Sequence, residues 1–243
     1  MITTDDAFLG GKLRILQPKK GFRAGVDSVF LAASLAPKPG DKIVEAGTGP
    51  GVAALCLLAR VPDIHLTGIE REPTTAKLAR ENALRNGLKL AVIEADITGD
   101  HLPPSESFAH GFANPPWFEN HAATHSPHAL KARAHALEAG GVALWVANLG
   151  RLIAPDGSLT FIHRWQEARA IAALMQANGF NAIRIKPMAA RAHETPIRAI
   201  VRARKVKAGQ VEILESFVLH EGPSNAFTKQ AEAILRHGES FLF

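Results

Sequence analysis

Between Lys42 and Asp96 the chain alternates short apolar runs with helical patterns, and no other feature constrains the fold as much. "KIVEAG" reads as a strand and "GVAALCLLAR" as the helix that follows it. "HLTGIE" is a second strand, "TTAKLARENALRNG" a helix stopped by Gly87, and "LAVIEAD" a third strand. "GFANPP" continues the pattern as a fourth strand, and helical material then runs to about Leu152, with a break expected at Gly140 and Gly141. "GSLTFIH" is a fifth strand and "QEARAIAALMQANG" a helix ending at Gly179. Strands separated by helices imply a parallel sheet covered on both faces, a doubly wound α/β fold. The order changes near the end. "AIRIKPM" and "IRAIVRARK" have only a loop between them, which predicts an antiparallel pair at the sheet edge. "VEILESFVLH" has strand character, and "TKQAEAILRH" predicts a short terminal helix. No repeat or linker divides the 243 residues, so one domain is expected.

The single cysteine, Cys56, lies in an apolar run, which excludes a disulfide framework or a thiolate metal site within one chain. "MITTDDAFLG" lacks the order of a signal peptide, and no run approaches the ~18 apolar residues of a membrane span. A cytoplasmic protein without a membrane partner is expected. The net charge of +5 is modest but unevenly spread. Lys12, Arg14, Lys19, Lys20 and Arg23 form one cluster, and Arg184, Lys186, Arg191, Arg198, Arg202, Arg204, Lys205 and Lys207 a second. Such clusters suit an anionic partner, nucleic acid first, or else are solvated faces.

The first strand runs into "EAGTGPGV", with Gly47, Gly49 and Gly51 at alternate positions. Glycines there let the backbone turn sharply and approach a ligand, with a helix N-terminus behind. The dinucleotide fingerprint G-x-G-x-x-G is not matched, and Pro50 removes an amide that a pyrophosphate would use. This argues against a nicotinamide-dependent oxidoreductase. Glu45 precedes the turn, Glu70 ends the second strand and Asp96 the third, all at the edge where open α/β sheets bind ligands. Three carboxylates favour a hydroxyl-rich or cationic ligand.

Together "EAGTGPGV", Glu70 and "EADI" resemble the cofactor site of class I S-adenosylmethionine-dependent methyltransferases. The resemblance implies a mostly parallel seven-stranded sheet with an antiparallel edge strand. It assigns the methionine part of the cofactor to Gly47, Gly49 and Gly51, with Glu45 beside them. The ribose falls to Glu70, and the adenine to Asp96 and the adjoining Ile97. Asn114, Pro115, Pro116 and Trp117 then resemble the [D/N]-P-P-[Y/F/W] signature of enzymes that methylate a conjugated amino nitrogen. Such an amine has two N–H donors, and the Asn114 side-chain oxygen with the Pro115 carbonyl would accept both. The prolines fix φ and remove competing donors. Trp117 would give an unstacked base a flat face, worth ~1–3 kcal/mol.

The segment "QPKKGFRAGVDSVFLAASL" and the "NPPWFEN…SPHALKARAHAL" region resemble bacterial tRNA1(Val) adenine-N6 methyltransferases, in which a short N-terminal stretch folds over the site. This implies residues 1–40 as a cover, RNA as partner, and Lys19, Lys20, Arg23, Arg202 and Arg204 as phosphate contacts. Adenine-N6 methylation is the expected activity. Glutamine-N5 methylation of a protein, guanine-N2 methylation of ribosomal RNA and a non-catalytic RNA-binding role stand as alternatives. Asp27 suits an N-cap for a helix starting at Ser28, or lines the cofactor pocket. The loop with His121, His125 and His128 is read as substrate-facing, with no metal expected.

Overall fold

The computed structural model describes residues 2–21, 23–116 and 129–243, with side chains from 141 onward in the last segment. Two strands, β1 (Thr3–Phe8) and β2 (Leu13–Pro18), form an antiparallel hairpin. The helix α1 (Val26–Ser34) leads to β3 (Lys42–Ala46), and α2 (Val52–Arg60) to β4 (His65–Glu70). Then come α3 (Pro73–Arg85), β5 (Leu90–Glu94) and β6 (Phe108–Ala113). The helix α4 (Ala129–Leu152) is followed by β7 (Ile153–Arg164), α5 (Ala168–Ala177), β8 (Asn181–Ala189) and β9 (Arg198–Arg204). Two short strands, β10 (Val211–Ile213) and β11 (Phe217–Val218), and a last helical turn, α6 (Lys229–Glu232), complete the order.

The sheet runs β5-β4-β3-β6-β7-β9-β8-β10, with β11 also paired to β8. Its first seven strands make the expected sheet, and β10 and β11 extend it to nine. The antiparallel member, β9, lies two places in from the edge, between β7 and β8. Its flanks explain this. β8 and β9 are joined without a helix, so β9 returns antiparallel, and its apolar Ile200 and Val201 are buried on both faces.

Several boundaries differ from the sequence reading. β6 begins earlier and stops before Asn114, because Pro115 has no N–H for a ladder and restricts the residue before it. β5 ends two residues before Asp96. The helix α4 passes through Gly140 and Gly141 unbroken. Asp27 does not cap α1, whose N-cap is Gly25, but sits in its first turn and pairs with Arg198 at 2.9 Å.

The N-terminal hairpin was hidden by its charge, although Leu13, Ile15 and Gln17 alternate inward. Two asparagines four residues apart, Asn82 on α3 and Asn86 at its C-cap, dock it. Asn82 accepts from Leu16 N at 2.8 Å and donates to Leu16 O at 2.9 Å, and Asn86 does the same for Arg14 at 2.9 Å each. Asn82 also donates to Pro50 O at 2.9 Å, which ties the hairpin to the glycine turn. At the hairpin's end Gly10 has φ +65°, and a Cβ there would stand 2.7 Å from the Arg236 carbonyl oxygen. One apolar layer packs α1, α2, the hairpin and Phe217 and Phe241; the other packs α4 and α5 on the opposite face.

Candidate active site

Strand order reverses between β3 and β6, since β3, β4 and β5 proceed one way and β6 and β7 the other. A crevice opens at the carboxyl ends of strands at such a point. There the protein has a cavity of about 940 Å³, large enough for a nucleoside cofactor and part of a second molecule.

The glycine turn forms its floor. Gly47, Gly49 and Gly51 all have positive φ, at +65°, +56° and +91°, which only glycine adopts without strain. Gly47 is also required for packing, because a Cβ there would lie 2.5 Å from the Trp145 ring of α4. Gly47 and Gly49 line the cavity, and a side chain at Gly49 would meet only the Gly47 carbonyl at 4.0 Å, so it would project over the cradle. Gly51 does not line the cavity but starts α2 as its N-cap. Glu45 lies beneath the turn, 3% exposed, and accepts from the Thr48 hydroxyl at 2.5 Å. Burial pushes its carboxyl up to about 8, with a smaller contribution from Glu70. Gly68 makes room for this pair, since a Cβ there would stand 2.7 Å from Thr48 Cγ2.

Glu70 and Asp96 line the wall. Glu70 accepts from Gly49 N and from Glu72 N, each at 2.9 Å, one on each carboxylate oxygen. Asp96 Oδ1 accepts from the Thr98 N–H at 2.9 Å and the Thr98 hydroxyl at 2.7 Å, and Oδ2 faces Arg71 at 3.7 Å. The Thr98 N–H and these companions hold Asp96 below the usual carboxylate range. Ile97 is buried and also lines the cavity, and its carbonyl accepts from Asn148 of α4 at 2.8 Å.

Asn114, Pro115 and Pro116 leave β6 and enter the same cavity. Trp117, His121, His125 and His128 lie outside the described residues. Sequence reasoning missed Trp145 and the end of β7, where His163 and Arg164 line the cavity. The signal was present: "FIHR" ends a strand whose partner carries the corner. His163 is 4% exposed, and burial, then Arg164 and Arg198, lower its ring to about 4.

The basic residues divide. Lys20 lines the cavity, and Lys19 is exposed beside it. Arg23 instead pairs with Asp6 at 2.5 Å. Arg202 and Arg204 are not brought to the cavity. β9 runs antiparallel, so Arg198 pairs with Arg164 at the carboxyl edge while Arg204 pairs with Ser158 at the opposite end. Arg202 is partly buried, donates to Ser34 O at 3.1 Å and lies 4.6 Å over the Phe243 ring. Charge along the sequence does not reveal strand direction, so it does not separate these two from Arg198.

A doubly wound sheet whose switch-point cavity joins a glycine cradle to an Asn-Pro-Pro corner defines a class. The methyltransferase small domain family matches residues 23–156, more than half of the chain, and the chain belongs to that family. It is similar to the tRNA1(Val) (adenine(37)-N6)-methyltransferase of Porphyromonas gingivalis, 28% identical over 166 residues. That match covers 65% of this chain and 64% of that enzyme, slightly less than two thirds of its length. A shorter likeness, 35% over 91 residues, links 37% of the chain to 32% of the release factor glutamine methyltransferase of Vibrio cholerae. Among solved structures, a predicted O-methyltransferase from Agrobacterium tumefaciens shares the fold, with a TM-score of 0.73 over 89% of this chain and 99% of that one at 24% identity.

Proposed function

We propose that this chain transfers the methyl group of S-adenosylmethionine to the N6 amino group of an adenine in RNA, foremost a tRNA, in the cytoplasm. The observation that carries the reading is that the Asn114–Pro115–Pro116 corner enters the same cavity as the glycine turn, Glu70 and Asp96. Similarity to the P. gingivalis enzyme supports the choice of adenine and of tRNA. The residues fit the cofactor: Gly49 lines the cavity with no side chain to occupy it, and the acceptors on the wall, Glu70 and Asp96, are anionic.

When bound, the cofactor supplies an electrophilic methyl on a cationic sulfur. Each Glu70 oxygen already takes one backbone N–H and keeps a lone pair, so the carboxylate can accept from both hydroxyls of a ribose. Asp96 Oδ1 is occupied by Thr98, which leaves Oδ2 for an exocyclic amine. Asn114 Oδ1 and the Pro115 carbonyl accept the two N–H groups of the target amine and turn its lone pair toward the methyl. With the methyl donor in place, the amine would gain a methyl group and then lose its extra proton to water, so Asn114 and Pro115 need only orient the nitrogen and no carboxylate is needed at the corner. Pro18 and Lys20 also line the cavity, so residues 1–40 serve in this reading as part of its wall.

The test is incubation with labelled cofactor and total tRNA, ribosomal RNA or protein from cells lacking the gene, followed by mass spectrometry of the labelled product. N6-methyladenosine in tRNA is expected. Label in N2-methylguanosine or in N5-methylglutamine would overturn the substrate assignment. The glutamine reading has the V. cholerae likeness in its favour, and an amide nitrogen would suit the same corner.

A further inference from the structure

Buried polar side chains in folded proteins nearly always find a hydrogen-bond partner. His163 does not: among the described residues neither ring nitrogen has one, although the residue is 4% exposed. It also lines the cavity that Asn114 and Pro115 enter. Ala113 on β6 pairs with Phe161 on β7. Carried past the end of β6, that register puts Pro115 level with His163 and on the same face, about 5 Å away by ordinary sheet spacing. Leu159 and Phe161 precede His163 on the same face of β7 and belong to the apolar layer under α4 and α5. The imidazole continues that row at the point where packing gives way to the cavity. A leucine would pack there without a polar edge to satisfy.

We infer that His163 is a specificity-determining residue of the acceptor half, whose ring N–H donates to the unprotonated ring nitrogen beside the target amino group. The inference rests on the adenine reading above. Adenine has such a nitrogen on each side of its amine, N1 and N7. Asn114 and Pro115 accept from the amine while His163 donates to the ring, so the base is held at both kinds of atom. Burial and the flanking Arg164 and Arg198 keep the imidazole neutral. A neutral ring keeps one donor and adds no positive charge beside a cationic methyl donor.

The experiment uses the full chain and an unmodified tRNA transcript carrying adenosine, 1-deazaadenosine or 7-deazaadenosine at the methylated position. One of the two deaza substitutions should lower kcat/KM of the parent protein about tenfold, the ordinary effect of one lost hydrogen bond. His163→Phe should lose a similar factor on adenosine and become indifferent to that deaza substitution. His163→Gln, which keeps an N–H, should recover part of the loss, and thermal melting of each variant reports folding separately. Undiminished deaza penalties in His163→Phe, or parental kcat/KM on adenosine, overturn the inference and leave the adenine reading intact. Absence of N6-methyladenosine with the parent protein overturns the reading itself and the inference with it.

Discussion

The two halves of the cavity are built differently. In the cofactor half both carboxylates of the wall are already engaged, Glu70 by two backbone amides and Asp96 by Thr98, and Glu45, which does not line the cavity, is held beneath the turn by Thr48. In the acceptor half a buried imidazole has no partner among the described residues. The first half is preorganised by the chain itself, so a ligand there meets groups already aimed. In the proposed reading the second half is completed by what binds it, and selectivity between acceptors arises there.

The sharpest way to break this contrast is at the corner. Asn114→Ala should lower the rate of transfer roughly 10²-fold or more, the scale of a misplaced reacting group, while leaving cofactor affinity unchanged. Calorimetry and single-turnover kinetics read the two effects, and a parallel loss of cofactor binding would erase the division between halves. Glu70→Ala should do the reverse. Losing charged hydrogen bonds worth about 1.5–3 kcal/mol should weaken cofactor binding roughly tenfold or more, and an unchanged dissociation constant would remove Glu70 from the ribose.

A smaller effect is expected at Asn82, which joins the hairpin to the glycine turn. Asn82→Ala leaves half-buried Leu16 and buried Pro50 groups unpaired and should cost about 1–3 kcal/mol of stability, measured by denaturant unfolding. If stability is unchanged, the hairpin is held by other contacts.

Protons separate the halves as well. Glu45 is raised from 4.5 to about 8, so between those values the folded chain holds a proton that the unfolded chain has released. Stability from this group is full below about 4.5 and is lost as pH rises through 8. His163 is lowered from 6.5 to about 4, so the unfolded chain binds the extra proton. Its contribution is full above 6.5 and is lost as pH falls toward 4. Melting temperature against pH should therefore lose part of its fall between about 4.5 and 8 in Glu45→Gln, and part of its fall from 6.5 down to about 4 in His163→Phe. The opposite assignment would mean the two groups are not buried as described.

The smallest effect is expected at Arg204, which stands at the far end of β9. Arg204→Glu should leave the salt dependence of RNA binding unchanged, whereas Lys20→Glu should reduce its slope by about one unit. Equal effects would put the RNA across both ends of the sheet.

Much of the cofactor half was legible in the sequence because each of its residues follows directly from a strand end. The glycine turn, Glu70 and Asp96 are local features whose position in the fold is fixed by the βαβ pattern alone. The acceptor half was legible only at Asn114–Pro116, where the residue types are unusual. Trp145 belongs to the site through helix packing across the sheet, which no local pattern announces, and His163 was marked only by standing at a strand end. Arg202 and Arg204 show the converse: a few residues from Arg198 in sequence, they are carried away from the cavity by an antiparallel strand. The hairpin was overlooked because its docking depends on asparagine side chains of α3, some seventy residues downstream.

The most direct test of the shared cavity is a crystal structure with S-adenosylhomocysteine. The account predicts the ribose on Glu70, the adenine beside Asp96, and the sulfur facing Asn114 and Pro115. A sulfur pointed away from that corner, or a ligand bound elsewhere than over Gly47 and Gly49, would contradict it.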